Sequence, residues 1–144
     1  MKPIFLTLLL LSSCLSTAMA GSLSGSTWVT IDDKTNKPRA EVLFEEKDGV
    51  ISGQILKVYP QPGDTGVCSH CPGEFKDKSI TGIHFVWGLK QENDKNWAGG
   101  EILDPKTGKI YRVKMLLKGD RLFVRAYLGV SLLGRTQLWE RKKV

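Results

Sequence analysis

The chain has 144 residues, 21 of them Lys or Arg against 15 Asp or Glu, for a formal net charge of +6. This length holds one domain rather than two, and no apolar run is long enough for a membrane-spanning helix. The basic residues are scattered singly over turns and alternating segments, with only Arg141-Lys142-Lys143 forming a run, which describes a solvated surface and not a nucleic-acid-binding patch.

The first twenty residues read as a secretory leader. Lys2 precedes an apolar run from Ile4 to Leu11, and Ala18-Met19-Ala20 offers the small side chains that a cleavage pocket accepts, so cleavage is expected after Ala20. A competing reading takes Leu11-Ser12-Ser13-Cys14 as a lipoprotein signal with Cys14 acylated. Cleavage after Ala20 is preferred because the apolar character continues to Leu15. Both readings predict export to the periplasm or beyond, and a single domain over residues 21–144. Loss of Lys2, the leader's one charge, would take the net charge from +6 to +5.

Beyond Gly21 the chain alternates like a series of short strands. Thr27 to Ile31 is rich in β-branched and aromatic residues and ends at a polar turn closed by Pro38. Arg39 to Glu46 sets Ala40, Val42 and Phe44 against Glu41 and Glu45, Lys47-Asp48-Gly49 turns the chain, and Val50 to Tyr59 returns it. Gly53 inside that third strand marks a bulge or a close approach of backbone. The segment from Pro60 to Lys78, with its prolines, glycines, Cys68 and Cys71, has no periodicity and reads as a long loop held by a clip.

A fourth strand is expected over Ser79 to Leu89, with Ile83, Phe85, Trp87 and Leu89 on one face. The polar stretch Gln91 to Asn96 separates it from a fifth strand, Trp97 to Leu103. Asp104-Pro105-Lys106-Thr107-Gly108 is a turn by chemistry, and Gly119-Asp120 joins a sixth strand, Lys109 to Lys118, to a seventh, Arg121 to Leu128. The apolar connection Gly129 to Gly134 leads to a last strand, Arg135 to Arg141. About eight antiparallel strands with hairpin-length connections predict an all-β, up-and-down barrel, large enough to be filled by side chains or to hold one small ligand.

The set Asp104-Pro105, Gly108-Lys109, Tyr111, Val124-Arg125, Gly129, Leu133-Gly134-Arg135-Thr136, Trp139 and Arg141, together with Cys68, Cys71 and Trp28, resembles domain of unknown function family 2147, small exported bacterial proteins. The resemblance implies a lipocalin-like, calycin-type barrel and no assigned reaction. Such barrels open with G-x-W and lay a basic residue of the last strand over the Trp. Here Gly25 and Trp28 are separated by two residues instead of one, and Arg141 or Arg135 is the expected structural partner of Trp28.

Candidate chemistry is sparse. Cys68-Ser69-His70-Cys71 reads first as a disulfide in an exported protein, with metal binding and redox activity as open alternatives; Pro72 stands where haem attachment requires His. His70 and His84 are the only histidines, no G-x-S-x-G occurs, and neither a catalytic site nor a cofactor is expected. The ligand-binding wall is expected from Phe85, Trp87, Tyr111, Arg125 and Tyr127, an aromatic surface with one guanidinium that meets either an acid such as Glu101 or the anionic head of a ligand. The expected partner is a small apolar or amphipathic molecule. The alternative is an envelope interaction module, its barrel packed solid and its clipped loop docking a protein or a second copy.

Overall fold

The structure, a computed structural model, describes residues 22–143; the leader, Cys14 and the cleavage site lie outside the described residues. Eight strands follow in order: β1 Thr27–Ile31, β2 Pro38–Lys47, β3 Val50–Val58, β4 His84–Asn93, β5 Asn96–Leu103, β6 Ile110–Lys118, β7 Arg121–Tyr127 and β8 Gly134–Arg141. Each pairs antiparallel with its neighbour in sequence, and β1 pairs with β8, so the sheet closes on itself and leaves no edge.

Two elements depart from the sequence expectation. Ser79 to Ile83 belongs to the β3–β4 loop rather than to β4: Ile80 N–H bonds the Gly66 carbonyl at 2.9 Å and Ser79 bridges to Val67 within the loop, while Gly82 and Ile83 bond Ile55 of β3 outside the strand register. At its far end β4 runs on to Asn93, so the expected six-residue turn shrinks to Asp94-Lys95.

Inner-facing side chains fill most of the barrel. Trp28, Trp97, Trp139 and Phe44 are essentially inaccessible to solvent, and Phe44, Trp139 and Phe85 form a stacked series with centroid separations of 6.0 and 6.1 Å. Gly53 is small for a steric reason: a Cβ there would come within 3.1 to 3.2 Å of Phe44 and Val42 on β2 and Val86 on β4, the strands that flank it.

The two ends of the barrel differ. At one end Arg141 lies 4.5 Å above the Trp28 ring, its register partner on β1, while Leu23 is fully buried in the same core. This end also carries the tight β2–β3, β4–β5 and β6–β7 turns. The other end carries the turn 32–37, the loop 59–83, the turn 104–109 and the loop 128–133.

Candidate functional site

The loop-bearing end is where the inner wall remains partly accessible. On β6 and β7 the register sets Ile102 opposite Tyr111 and Val113 opposite Ala126, and on β8 Gln137 lies opposite Val124. Val113, Val124 and Ile102 are buried, so their partners Tyr111, Ala126 and Gln137 also face inward, yet these three are only half-buried. These three half-buried side chains mark the accessible rim of the inner wall, here called the cup, on the loop-bearing side of the Phe85–Trp139 stack. Gln137 accepts a hydrogen bond from Trp139 Nε1 at 3.3 Å, and Arg135, also on the inner register, pairs with Asp33 of the β1–β2 turn. That pairing holds the Asp33 carboxyl below its ordinary range, the Arg135 hydrogen bond being the main cause. Trp97 Nε1 is a buried donor without a hydrogen-bond acceptor among the described residues.

The disulfide Cys68–Cys71 clips the long loop over part of this end. Both cysteines are buried in the core, and the Pro105 carbonyl oxygen lies 3.9 and 3.8 Å from their sulfurs. Gly108 docks the two segments: its φ is +77°, and a Cβ there would fall 1.8 Å from the His70 carbonyl oxygen. Among the described residues no group of three His, Cys, Asp or Glu side chains is placed to hold a metal ion.

Of the five residues expected to form one wall, Phe85 and Tyr111 face the interior; Trp87, Arg125 and Tyr127 do not. On β4 the pairing with β3 slips twice, Ile51 meeting Leu89, Gly53 meeting Val86 and Gln54 meeting His84. With Gly88 at φ +72°, these bulges turn Val86 inward and Trp87 outward, against strict alternation. Trp87 then stacks on Phe75, part of the 3-10 turn Gly73–Phe75, at 5.8 Å on the outer surface.

On β7 Leu122, Val124 and Ala126 form the inner face, since they pair with Leu117, Met115 and Val113, and Phe123, Arg125 and Tyr127 form the outer one. Arg125 therefore stands outside, opposite Lys114, where its Nη1 donates to Thr136 Oγ1 at 2.9 Å. Tyr127 lies opposite Arg112, with Lys114 Nζ 6.0 Å from its ring. Glu101 is outside as well, in register with Trp87 and Arg112.

A second concavity lies outside the barrel, against β4. A cleft of about 840 Å³ is lined by Glu74, Phe75, Lys78, Ile83, His84 and Trp87 among others. A smaller hollow, about 480 Å³, sits over the outer face of β1 and β8 beside Tyr59 and Lys142. Beside it Glu41, only 6% exposed, accepts hydrogen bonds from Lys142 Nζ at 2.8 Å and Tyr59 Oη at 2.6 Å. Those bonds, that of Lys142 first, hold the Glu41 carboxyl below its ordinary range and raise Lys142. Alternation alone puts Glu41 on the outer face; its covering by the chain end and by Tyr59 had no signal in sequence.

A closed eight-stranded antiparallel barrel, plugged at one end by a Trp beneath an Arg and looped at the other, defines a lipocalin-like protein. The same architecture is found in protein HP1028 of Helicobacter pylori, described as belonging to the lipocalin family. It superposes with a TM-score of 0.73 at 20% identity, over 85% of this chain and 84% of that one. A family of uncharacterized proteins conserved in bacteria, DUF2147, matches residues 26–141, and the chain belongs to that family. A search of curated proteins finds no match. No helix among the described residues is long and apolar enough to cross a membrane.

Proposed function

We propose that this protein is an exported, non-catalytic binder of one small amphipathic molecule, held in the cup among Phe85, Tyr111, Ala126 and Gln137. The observation that supports it most directly is the asymmetry of the inner wall: sealed at the Trp28–Arg141 end, half-accessible at Tyr111, Ala126 and Gln137. The aromatic stack beneath limits depth, so the guest is short and its polar head stays near the loops, where Arg135 stands. Export rests on the leader-like residues 1–20 and agrees with the disulfide. Lipocalin-like barrels are typically binding proteins, which agrees with the scarcity of nucleophile–base pairs in this sequence.

The test is titration with a fluorescent probe that has a short aliphatic chain and an anionic head, read against Ala126→Trp, which fills the cup, and Tyr111→Ala, which widens it. Single-site saturable binding, weakened at least tenfold by Ala126→Trp in a protein of unchanged melting cooperativity, is expected. Undiminished binding in both variants, or no saturable binding by the wild type, overturns the proposal.

The packed lower barrel and the outer cleft favour a second reading, in which the disulfide-clipped loop docks a protein segment over Phe75 and Trp87. Trp87→Ala would then abolish that docking and leave probe binding untouched.

A further inference from the structure

The barrel closes along a short seam. β1 meets β8 through Trp28–Arg141, Val29–Glu140 and Thr30–Trp139, all towards the sealed end, whereas β7 stays in register with β8 from Tyr127–Gly134 to Arg121–Glu140. From Gly134 to Leu138, β8 therefore has a strand partner on its β7 side alone. That stretch carries Arg135 and Gln137, the inner-register residues at the cup.

Across the seam the β1–β2 turn is tied to itself. Asp32 N–H donates to the Lys37 carbonyl at 2.9 Å and Asn36 N–H to the Asp32 carbonyl at 2.8 Å, while the Asp32 carboxylate accepts from the N–H groups of Lys34 and Thr35 at 2.8 and 2.9 Å. The turn keeps its shape without β8. Asp33 takes no part in those bonds; its carboxylate reaches over the seam and accepts from both Nε and Nη2 of Arg135. Among the described residues no other hydrogen bond or ion pair links the turn 32–37 to β8. The two side chains are 52% and 31% exposed, and ion pairs so open to water hold weakly.

The rest of the mouth is held more firmly. The disulfide clips the loop 59–83, Arg39 on β2 pairs with Asp64 of that loop at 3.1 Å, and Gly108 docks the turn 104–109 against His70. Flanking the seam on its other side, the β7–β8 loop runs into Gly134 with Leu132 and Leu133 88% and 78% exposed. Two leucines beside a weakly latched gap are an apolar doorstep for an aliphatic chain.

We propose that the guest enters and leaves the cup sideways, through the seam between the turn 32–37 and the first half of β8, with the Asp33–Arg135 pair as latch and Leu132 and Leu133 receiving the aliphatic chain. The inference rests on the cup being the binding site. Opening exchanges one exposed ion pair for water and breaks no strand pairing, since none spans this part of the seam. A latch of this kind sets how fast the guest exchanges and leaves its affinity nearly unchanged.

Stopped-flow mixing with the short-chain anionic probe tests it, on chain recovered after any natural processing so that wild type and variants share one N-terminus. Asp33→Asn should raise the association and dissociation rates together, by about three- to fivefold, the most that so exposed a pair is worth, and keep Kd within about twofold. Asp33→Glu, which retains the pair, should stay near wild type. Asp64→Asn removes the same charge away from the seam and should change neither rate. Leu132→Ser with Leu133→Ser, at exposed positions that leave the fold intact, should slow association about threefold. Equal rates in wild type and Asp33→Asn, equal acceleration by Asp64→Asn, or undiminished association in the leucine double variant overturns the side entrance while saturable binding still supports the cup. No saturable binding by the wild type removes the cup reading and the side entrance with it.

Discussion

Replacing Arg141 by Ala measures what seals the closed end. The guanidinium carbon lies 4.5 Å above the Trp28 ring and Nε lies 3.3 Å from Asp120 Oδ1, with the two ion-pair side chains 33% and 72% exposed. A partly desolvated cation–π contact stabilises by about 1 to 2 kcal/mol, and the aliphatic stem adds cover over the indole. The ion pair with so exposed an aspartate contributes at most about 0.5 kcal/mol after solvent screening. Arg141→Ala should therefore cost about 2 kcal/mol, lowering the melting temperature of a domain this size by roughly 8 °C, whereas Asp120→Ala should cost about a quarter of that. Arg141→Lys should fall between, because an ammonium keeps the charge and loses the planar stack. Urea unfolding of the three variants at constant m-value decides the matter. If Asp120→Ala cost as much as Arg141→Ala, or if Arg141→Lys matched wild type, the stacking account of this end would be wrong.

Two further outcomes follow from the geometry. Glu41 has a folded-state pKa below its unfolded value, so its stabilising contribution is present above about pH 4.3 and is lost as pH falls through the folded value. Glu41→Gln should flatten the acid limb of the stability–pH curve; an unchanged limb would show that the bonds from Lys142 and Tyr59 do not act in solution. Gly108→Ala adds a left-handed-region penalty of about 1 to 2 kcal/mol to a collision with the His70 carbonyl. It should accelerate reduction of Cys68–Cys71 by dithiothreitol several-fold, and an unchanged rate would mean that the turn 104–109 does not shield the disulfide.

Much of the fold is legible in the chain because local chemistry and global closure agree there. The alternation of Ala40, Val42 and Phe44 and the Asp48-Gly49 and Gly119-Asp120 turns are recovered in the barrel. The candidate site was less legible. On β7 both faces carry large apolar groups, so periodicity divides Phe123, Arg125 and Tyr127 from Leu122, Val124 and Ala126 but says nothing of which set is inside.

By itself, the sequence determined the strand count, the up-and-down order, the clipped loop and, through its family likeness, a basic residue of the last strand over Trp28; the structure chose Arg141 over Arg135 for that place. The tertiary structure alone decided which walls face inward. Register is a property of pairs: the slip between β3 and β4 turned Trp87 out, and the closure of β7 on β6 and β8 turned Arg125 out. No side chain carries the position of its partner on the next strand, so the lining of the barrel existed only once the strands had met.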